Sequence, residues 1–194
     1  MINEVLNKKS DPDLYKEFLL GNRDAFNLLM IRHRKALTNF IRYYVKNVEI
    51  AEDIAQDSFL YIIINKKYYD FKFSFKTYSY TIAKSRALNY LKREKKTIPL
   101  TDIDIDNFVS ELNVEDEVIN NVDREQIISA IRTLKKDYQI IVYLYYFQNF
   151  KYKEISEILN ISMSKTKMSL NRAKKNIKKI LKEEKKHDDR SRIY

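Results

Sequence analysis

The stretch "YKEISEILNISMSKTKMSLNRAKKNIKKIL", residues 152–181, decides the fold of this chain. Ile155, Ile158 and Leu159 mark the inner face of a short helix. Asn160-Ile161-Ser162 breaks it, with Ile161 expected to plug the core. Ser162 or Ser164 offers a side-chain oxygen to cap a second helix. That helix carries Thr166, Leu170, Ala173, Ile177 and Leu181 at spacings of four, three, four and four, which is one buried stripe. Its other side shows Lys165, Lys167, Met168, Asn171, Arg172 and Lys175. A short helix, a tight turn and a second helix with one apolar and one cationic side make the helix-turn-helix pattern. Such a second helix fits the major groove, where Lys and Arg reach guanine edges and phosphates and Asn reads adenine. The competing reading is a basic helical hairpin that touches no DNA.

The rest of the chain suits an all-α fold. One Gly and two Pro among 194 residues leave little for tight turns or hairpins, and the length allows one domain or two small ones. With no Cys, two His and one Gly, no disulfide framework, phosphate-cradling glycine loop or His/carboxylate metal cluster can be built. The expectation is a non-enzyme without cofactor or metal; Asp53 and Asp57, one turn apart, could hold Mg²⁺ in principle, and that is the enzyme alternative. No apolar run reaches the roughly 18 residues of a membrane span. "MINEVLNKKSDPD" lacks the basic-then-apolar pattern of a leader. A cytoplasmic protein is expected.

The formal net charge is +10, unevenly spread. Residues 1–98 hold 19 Lys and Arg against 11 Asp and Glu; residues 99–123 hold none against 8; residues 124–194 hold 18 against 8. Two basic blocks flank a purely acidic segment, so a polyanionic partner is expected. The pattern sets the boundaries: a helical domain over 1–98, an acidic linker over 99–122 and a helix-turn-helix domain over 123–194. Within the first block, helices are expected over 13–46 with a break at Gly21-Asn22, over 49–66 and over 76–96. Four helices are expected from Asp123 to Glu184, followed by ten frayed polar residues.

Two further stretches carry chemistry. In "AEDIAQDSFLYIII", residues 51–64, Glu52, Asp53, Gln56 and Asp57 share one arc of a helix, and Leu60, Ile63 and Ile64 continue it. Ala51, Ile54, Ala55, Ser58 and Ile62 line the other side. A helix apolar on both sides at one end needs a partner as well as a core. The segment "KKYYDFKFSFKTYSY", residues 66–80, places seven aromatics among four Lys. Aromatic and basic surfaces bind single strands by base stacking and phosphate attraction. Phe75 and Tyr80 are the rings expected in the core.

These stretches, with "GNRDAFNLL" (21–29), "SFKTYSYTIAKSRALNYLKREKK" (74–96) and "LKKDYQIIVYLYYF" (134–147), carry a resemblance. From about residue 14 to 182 the chain resembles a bacterial RNA polymerase sigma factor of the two-domain extracytoplasmic-function (ECF) type. The resemblance implies two helical domains and transcription initiation at −10 and −35 promoter elements. It implies that Glu52, Asp53, Gln56, Asp57, Leu60 and Ile63 meet the clamp helices of the polymerase's largest subunit, with a further contact to the flap region. Phe71, Lys72, Phe73, Ser74 and Ser85 fall where the family captures a flipped base of the −10 element. Lys84, Arg86, Lys92 and Arg93 fall where it holds phosphates. Ser164, Lys165, Lys167, Met168, Asn171, Arg172 and Lys175 fall on the helix that meets the −35 element. The acidic linker matches the segment that occupies the path of nascent RNA. An anti-sigma factor is the regulatory partner by family habit. The chain departs from the usual pattern in Tyr78 for Trp, Ser85 for Asn or Asp, and Ser164 for Gly. A helix-turn-helix regulator acting without replacing the sigma subunit is the alternative function, and it leaves residues 51–96 idle.

Overall fold

The computed structural model describes residues 4–94 and 124–191. Among these there are helices and no strand, arranged as two compact units. The boundaries expected at 98 and 122, and the acidic linker between them, lie outside the described residues.

The first unit contains α1 (Glu4–Asn7), α2 (Asp11–Leu19), α3 (Arg23–Val45), α4 (Val48–Ile64) and α5 (Phe75–Arg93). The break at Gly21-Asn22 is explained by its hydrogen bonds. Gly21 N donates to Phe18 O at 3.0 Å and Asn22 N to Glu17 O at 3.0 Å, closing α2 in a Schellman motif. Gly21 sits at φ +104°, where a Cβ is strained. Asn22 then caps α3, its Oδ1 accepting from Asp24 N and Ala25 N. Ser10, Asn47 and Ser74 cap α2, α4 and α5 in the same way. The packing centres on α3, whose Phe26, Leu29, Leu37, Phe40 and Ile41 are buried with Leu14, Tyr15 and Phe18 of α2. Leu19, expected on the inner face, is half-buried. Phe75 and Tyr80 are fully buried as expected, Tyr80 lying 4.6 Å from the Phe40 ring.

Arg32 fastens the N-terminus to α3. Its guanidinium donates to Asn7 O, Lys9 O and Asp11 Oδ1 at 2.7–2.9 Å, and His33 Nε2 meets Asp11 Oδ2 at 2.6 Å. Burial alone would raise the Asp11 carboxyl, but the hydrogen bonds and charges of His33 and Arg32 outweigh it and hold the group below its usual range. A depressed carboxylate stabilises the fold above the unfolded-state value of about 4, and that contribution is lost as pH falls through the folded value. The wild type should therefore exceed Asp11→Asn in urea midpoint at pH 7, with the gap closing below about pH 4. A gap independent of pH would contradict the assignment.

The second unit contains α6 (Arg124–Arg132), α7 (Lys136–Val142) running into a π turn (Tyr143–Phe147), α8 (Tyr152–Leu159) and α9 (Met163–Ser191). These are the four helices expected. The last one corrects an expectation: residues 185–191 continue α9 rather than fray. Gln139 ties α7 to the end of α6, its Nε2 donating to Ile131 O and Arg132 O at 3.1 and 2.9 Å. The turn of the helix-turn-helix is made without Gly. Asn160 adopts φ 53°, and Ile161 N donates to Ser156 O at 3.1 Å, the left-handed stop that Asn tolerates best after Gly.

Candidate functional site

The first candidate surface is on α4. Ala51, Ile54, Ala55, Ser58 and Ile62 are buried, as expected. The small side chains let the helix lie close to its neighbours, and the Ser58 hydroxyl is satisfied by the Ile54 carbonyl at 2.6 Å. On the other side Glu52, Asp53, Gln56 and Asp57 are exposed. They are followed by Leu60 at 53% exposure, Ile63 at 37% and Ile64 at 72%. Glu52, Asp53 and Asp57 form no ion pair with any described residue. The strip is thus acidic for two turns and apolar for the next, and open along its length.

The second surface is the aromatic segment before α5. A short 3₁₀ turn, Lys66–Tyr68, leads into an irregular loop. Its pillar is Tyr69, a residue the pattern of alternating rings and lysines did not single out. Tyr69 is buried, stacks on Tyr78 at 5.1 Å and donates its hydroxyl to Phe73 O at 2.8 Å. Tyr15, from α2, meets the Tyr69 ring edge-on at 4.7 Å and donates to Lys66 O at 2.9 Å. Burial, then the charges of Asp11 and Asp70, push the Tyr69 hydroxyl up to about 12, so it stays a neutral donor. On this pillar Phe71 adopts φ 59° and remains 39% exposed, its ring 4.6 Å from that of Tyr69. A left-handed Phe costs backbone energy, and the loop holds it with an Asp70 side chain accepting from Lys72 N at 3.0 Å. Phe73 is half-buried, with Lys72 Nζ 5.6 Å from its ring. Ser74 is engaged as the α5 cap: its Oγ accepts from Thr77 N at 3.1 Å and bonds Thr77 Oγ1 at 2.8 Å.

Along α5, Ser85 is exposed and Lys84 half-buried; Lys92 and Arg93 are exposed in the last turn, where cations suit the helix dipole. Ser85, Arg86 and Arg93 line a cleft of about 470 Å³ shared with Ile54, Asp57 and Tyr61 of α4.

The third surface is on α9. Ser162 is the residue that caps it, its Oγ accepting from Lys165 N at 3.1 Å. Thr166, Leu170 and Ala173 are buried; Ile177 and Leu181 are only half-buried, because the stripe runs past the core toward the open end of α9, and Ile161, in the turn before α9, is half-buried rather than plugging the core. Ser164, Lys165, Lys167, Met168, Asn171, Arg172 and Lys175 are all exposed. Beside them lies a cluster the sequence reading missed. Tyr145 stacks on Tyr152 at 5.3 Å, Lys174 Nζ stands 5.4 Å from the rings of both Tyr145 and Tyr146, and Lys167 Nζ is 6.0 Å from Tyr152. A hydrogen bond with Tyr146 raises the Lys174 ammonium above its usual range, burial opposing. The cluster joins α9 to the π turn and the start of α8. Its signal was the aromatic run 143–147 opposite a lysine two turns beyond Lys167.

Comparison with known proteins places the chain in a family. The family models for sigma-70 region 2 and sigma-70 region 4 match residues 29–97 and 124–177, together well over half of the chain. The RNA polymerase sigma factor YlaC of Bacillus subtilis is 28% identical over 163 residues, 82% of this chain and 94% of the relative. The ECF RNA polymerase sigma-E factor of Salmonella typhimurium is 25% identical over 177 residues, 87% and 92% of the two chains. Among solved structures, CnrH in complex with the cytosolic domain of CnrY aligns with a TM-score of 0.62 at 16% identity, covering 90% of this chain and 98% of that one. The sigma factor RpoE in complex with the anti-sigma factor NepR, from Bartonella quintana, aligns with a TM-score of 0.56 at 16% identity, covering 81% and 96%. With both regions matched in order on an all-α chain, this protein belongs to the sigma-70 family as an ECF sigma factor.

Proposed function

We propose that this alternative sigma factor docks on the clamp helices of core RNA polymerase through α4, captures an unpaired −10 base at the Phe71–Ser74 loop and Ser85, holds adjacent phosphates with α5, and reads the −35 element with α9. The residues proposed for docking are Glu52, Asp53, Gln56, Asp57, Leu60 and Ile63. The observation that carries the reading is the exposed strip of α4. Acids followed directly by exposed Leu and Ile have no use on a regulator that binds duplex DNA alone. A basic-lined protein surface with an apolar patch beside it complements them. The expected result is a stable complex of the full chain with core polymerase by gel filtration; a chain that binds promoter DNA but never co-elutes with core would favour the plain regulator.

The remaining assignments follow from the same reading. The domains are 1–98, 99–122 and 123–194, the middle one passing toward the polymerase active site as an acidic mimic of RNA. The chain itself performs no catalytic step, works in the cytoplasm and is held by an anti-sigma factor, as RpoE is in its complex with NepR. Among the described residues no helix is long and apolar enough to cross a membrane.

The exposed side of α9 permits a test that separates reading from positioning. Arg172→Ala or Lys167→Ala should cost about 1–3 kcal/mol and relax preference at one −35 position if the side chain meets a base edge. Lys175→Ala should weaken all promoters alike and flatten the salt dependence of binding. Equal loss on every promoter for all three would show that none of them reads sequence.

A further inference from the structure

We infer that Tyr61 is a positioning residue for nucleic acid: its ring holds the Arg86 guanidinium at the mouth of the α4–α5 cleft so that Arg86 and Arg93 together receive a phosphate of the promoter strand. The inference rests on the proposed function and adds a residue to it.

Arg86 Cζ lies 4.9 Å from the centre of the Tyr61 ring. Both side chains are half-buried. Both line the cleft of about 470 Å³ that also contains Asp57, Ser85, Asn89 and Arg93. An acid is therefore close at hand, yet Arg86 makes no ion pair with any described residue. That choice of partner has a chemical consequence. A carboxylate would occupy two guanidinium N–H groups and cancel the charge. An aromatic ring attracts the cation through its face and leaves the N–H donors, which point outward in the guanidinium plane, available to an anion. Arg93, two turns further along α5, adds a second cation to the same cleft. Two forked donors lining one concavity suit an oxyanion, and the partner already proposed for α5 is a phosphodiester.

The geometry also puts the two halves of this pair on different working surfaces. Tyr61 belongs to α4, the docking helix, and Arg86 to α5. Tyr61 is half-buried between the exposed docking strip and the cleft, so its effect on DNA is separable from docking by measuring both.

The test uses holoenzyme reconstituted from core polymerase and the full chain, with a fork-junction promoter fragment carrying a single-stranded −10 segment as the probe. Tyr61→Phe keeps the ring and should bind the probe as wild type does. Tyr61→Leu should bind it about twofold to fivefold more weakly, the range a partly exposed cation–π contact supports, with unchanged affinity for core and an unchanged melting temperature. In an Arg86→Ala background, Tyr61→Leu should have no further effect. Three results would overturn the inference: Tyr61→Phe as weak as Tyr61→Leu, a Tyr61→Leu loss confined to core binding, or losses that add in the double variant. A wild-type holoenzyme that retains no fork junction at all would contradict the proposed function and this inference with it; normal wild-type binding with additive variants contradicts the inference alone.

Discussion

Replacing Leu60 and Ile63 together with Gln should weaken binding to core RNA polymerase by about a thousandfold and leave the chain's own urea midpoint unchanged. Both residues are already exposed on α4, at 53% and 37%. Their removal opens no cavity, and Gln is a good helix former, so the cost to the isolated chain should fall within about 0.5 kcal/mol. At an interface the balance reverses. An apolar anchor that fills a partner's pocket is worth about 2 kcal/mol or more, and two such losses correspond to roughly three decades in affinity. Asp53→Ala with Gln56→Ala should act in the same direction but less, since rim charges set approach and register more than affinity. If the Leu60/Ile63 variant bound core normally, the apolar end of the α4 strip would have some other occupant.

The aromatic loop should separate into a pillar and a contact. Tyr69→Ala should destabilise the first unit by about 3–5 kcal/mol, as large-to-Ala changes in cores do. Tyr69 is 5% exposed, and its removal takes away the stack on Tyr78, the edge contact with Tyr15 and the hydrogen bond to Phe73 O at once. Tyr69→Phe should cost about 0.5–1.5 kcal/mol, the net worth of one hydrogen bond. Phe71→Ala should behave differently. Its ring is partly exposed and its backbone left-handed, so melting should change little, while binding of a single-stranded −10 oligonucleotide should fall by about 1–3 kcal/mol, one base's worth of stacking. Melting curves beside permanganate footprinting of the promoter bubble measure both. A Phe71→Ala chain with normal melting and a normal bubble would remove Phe71 from base capture; one that melts early would move it into the core.

Helical surfaces were legible in the sequence, and contacts made by loops or between helices were not. The α4 strip was legible because helical periodicity alone separates Ala51, Ile54, Ala55, Ser58 and Ile62 from the residues opposite them. The helix-turn-helix was legible for the same reason, with Asn160 standing in for the usual Gly. Tyr69 was not legible, since a loop has no period and nothing in "KKYYDFKF" distinguishes the ring that faces Tyr15 from the one beside it. Tyr61 and Arg86 are 25 residues apart, and Tyr145 and Lys174 are 29 apart; a cation over a ring depends on which helices are neighbours, and that is decided by packing. The fraying expected after residue 184 does not hold for residues 185–191, because charged residues still extend a helix whose preceding turns are already formed.

The most direct measurement of the central claim is run-off transcription in vitro with purified core polymerase and a pool of genomic promoters. Transcripts are expected from a discrete set of start sites that appear only when this chain is added and vanish with the Leu60/Ile63 variant. Core polymerase that produces no new start sites with the wild-type chain, under conditions where the chain demonstrably binds DNA, would contradict it.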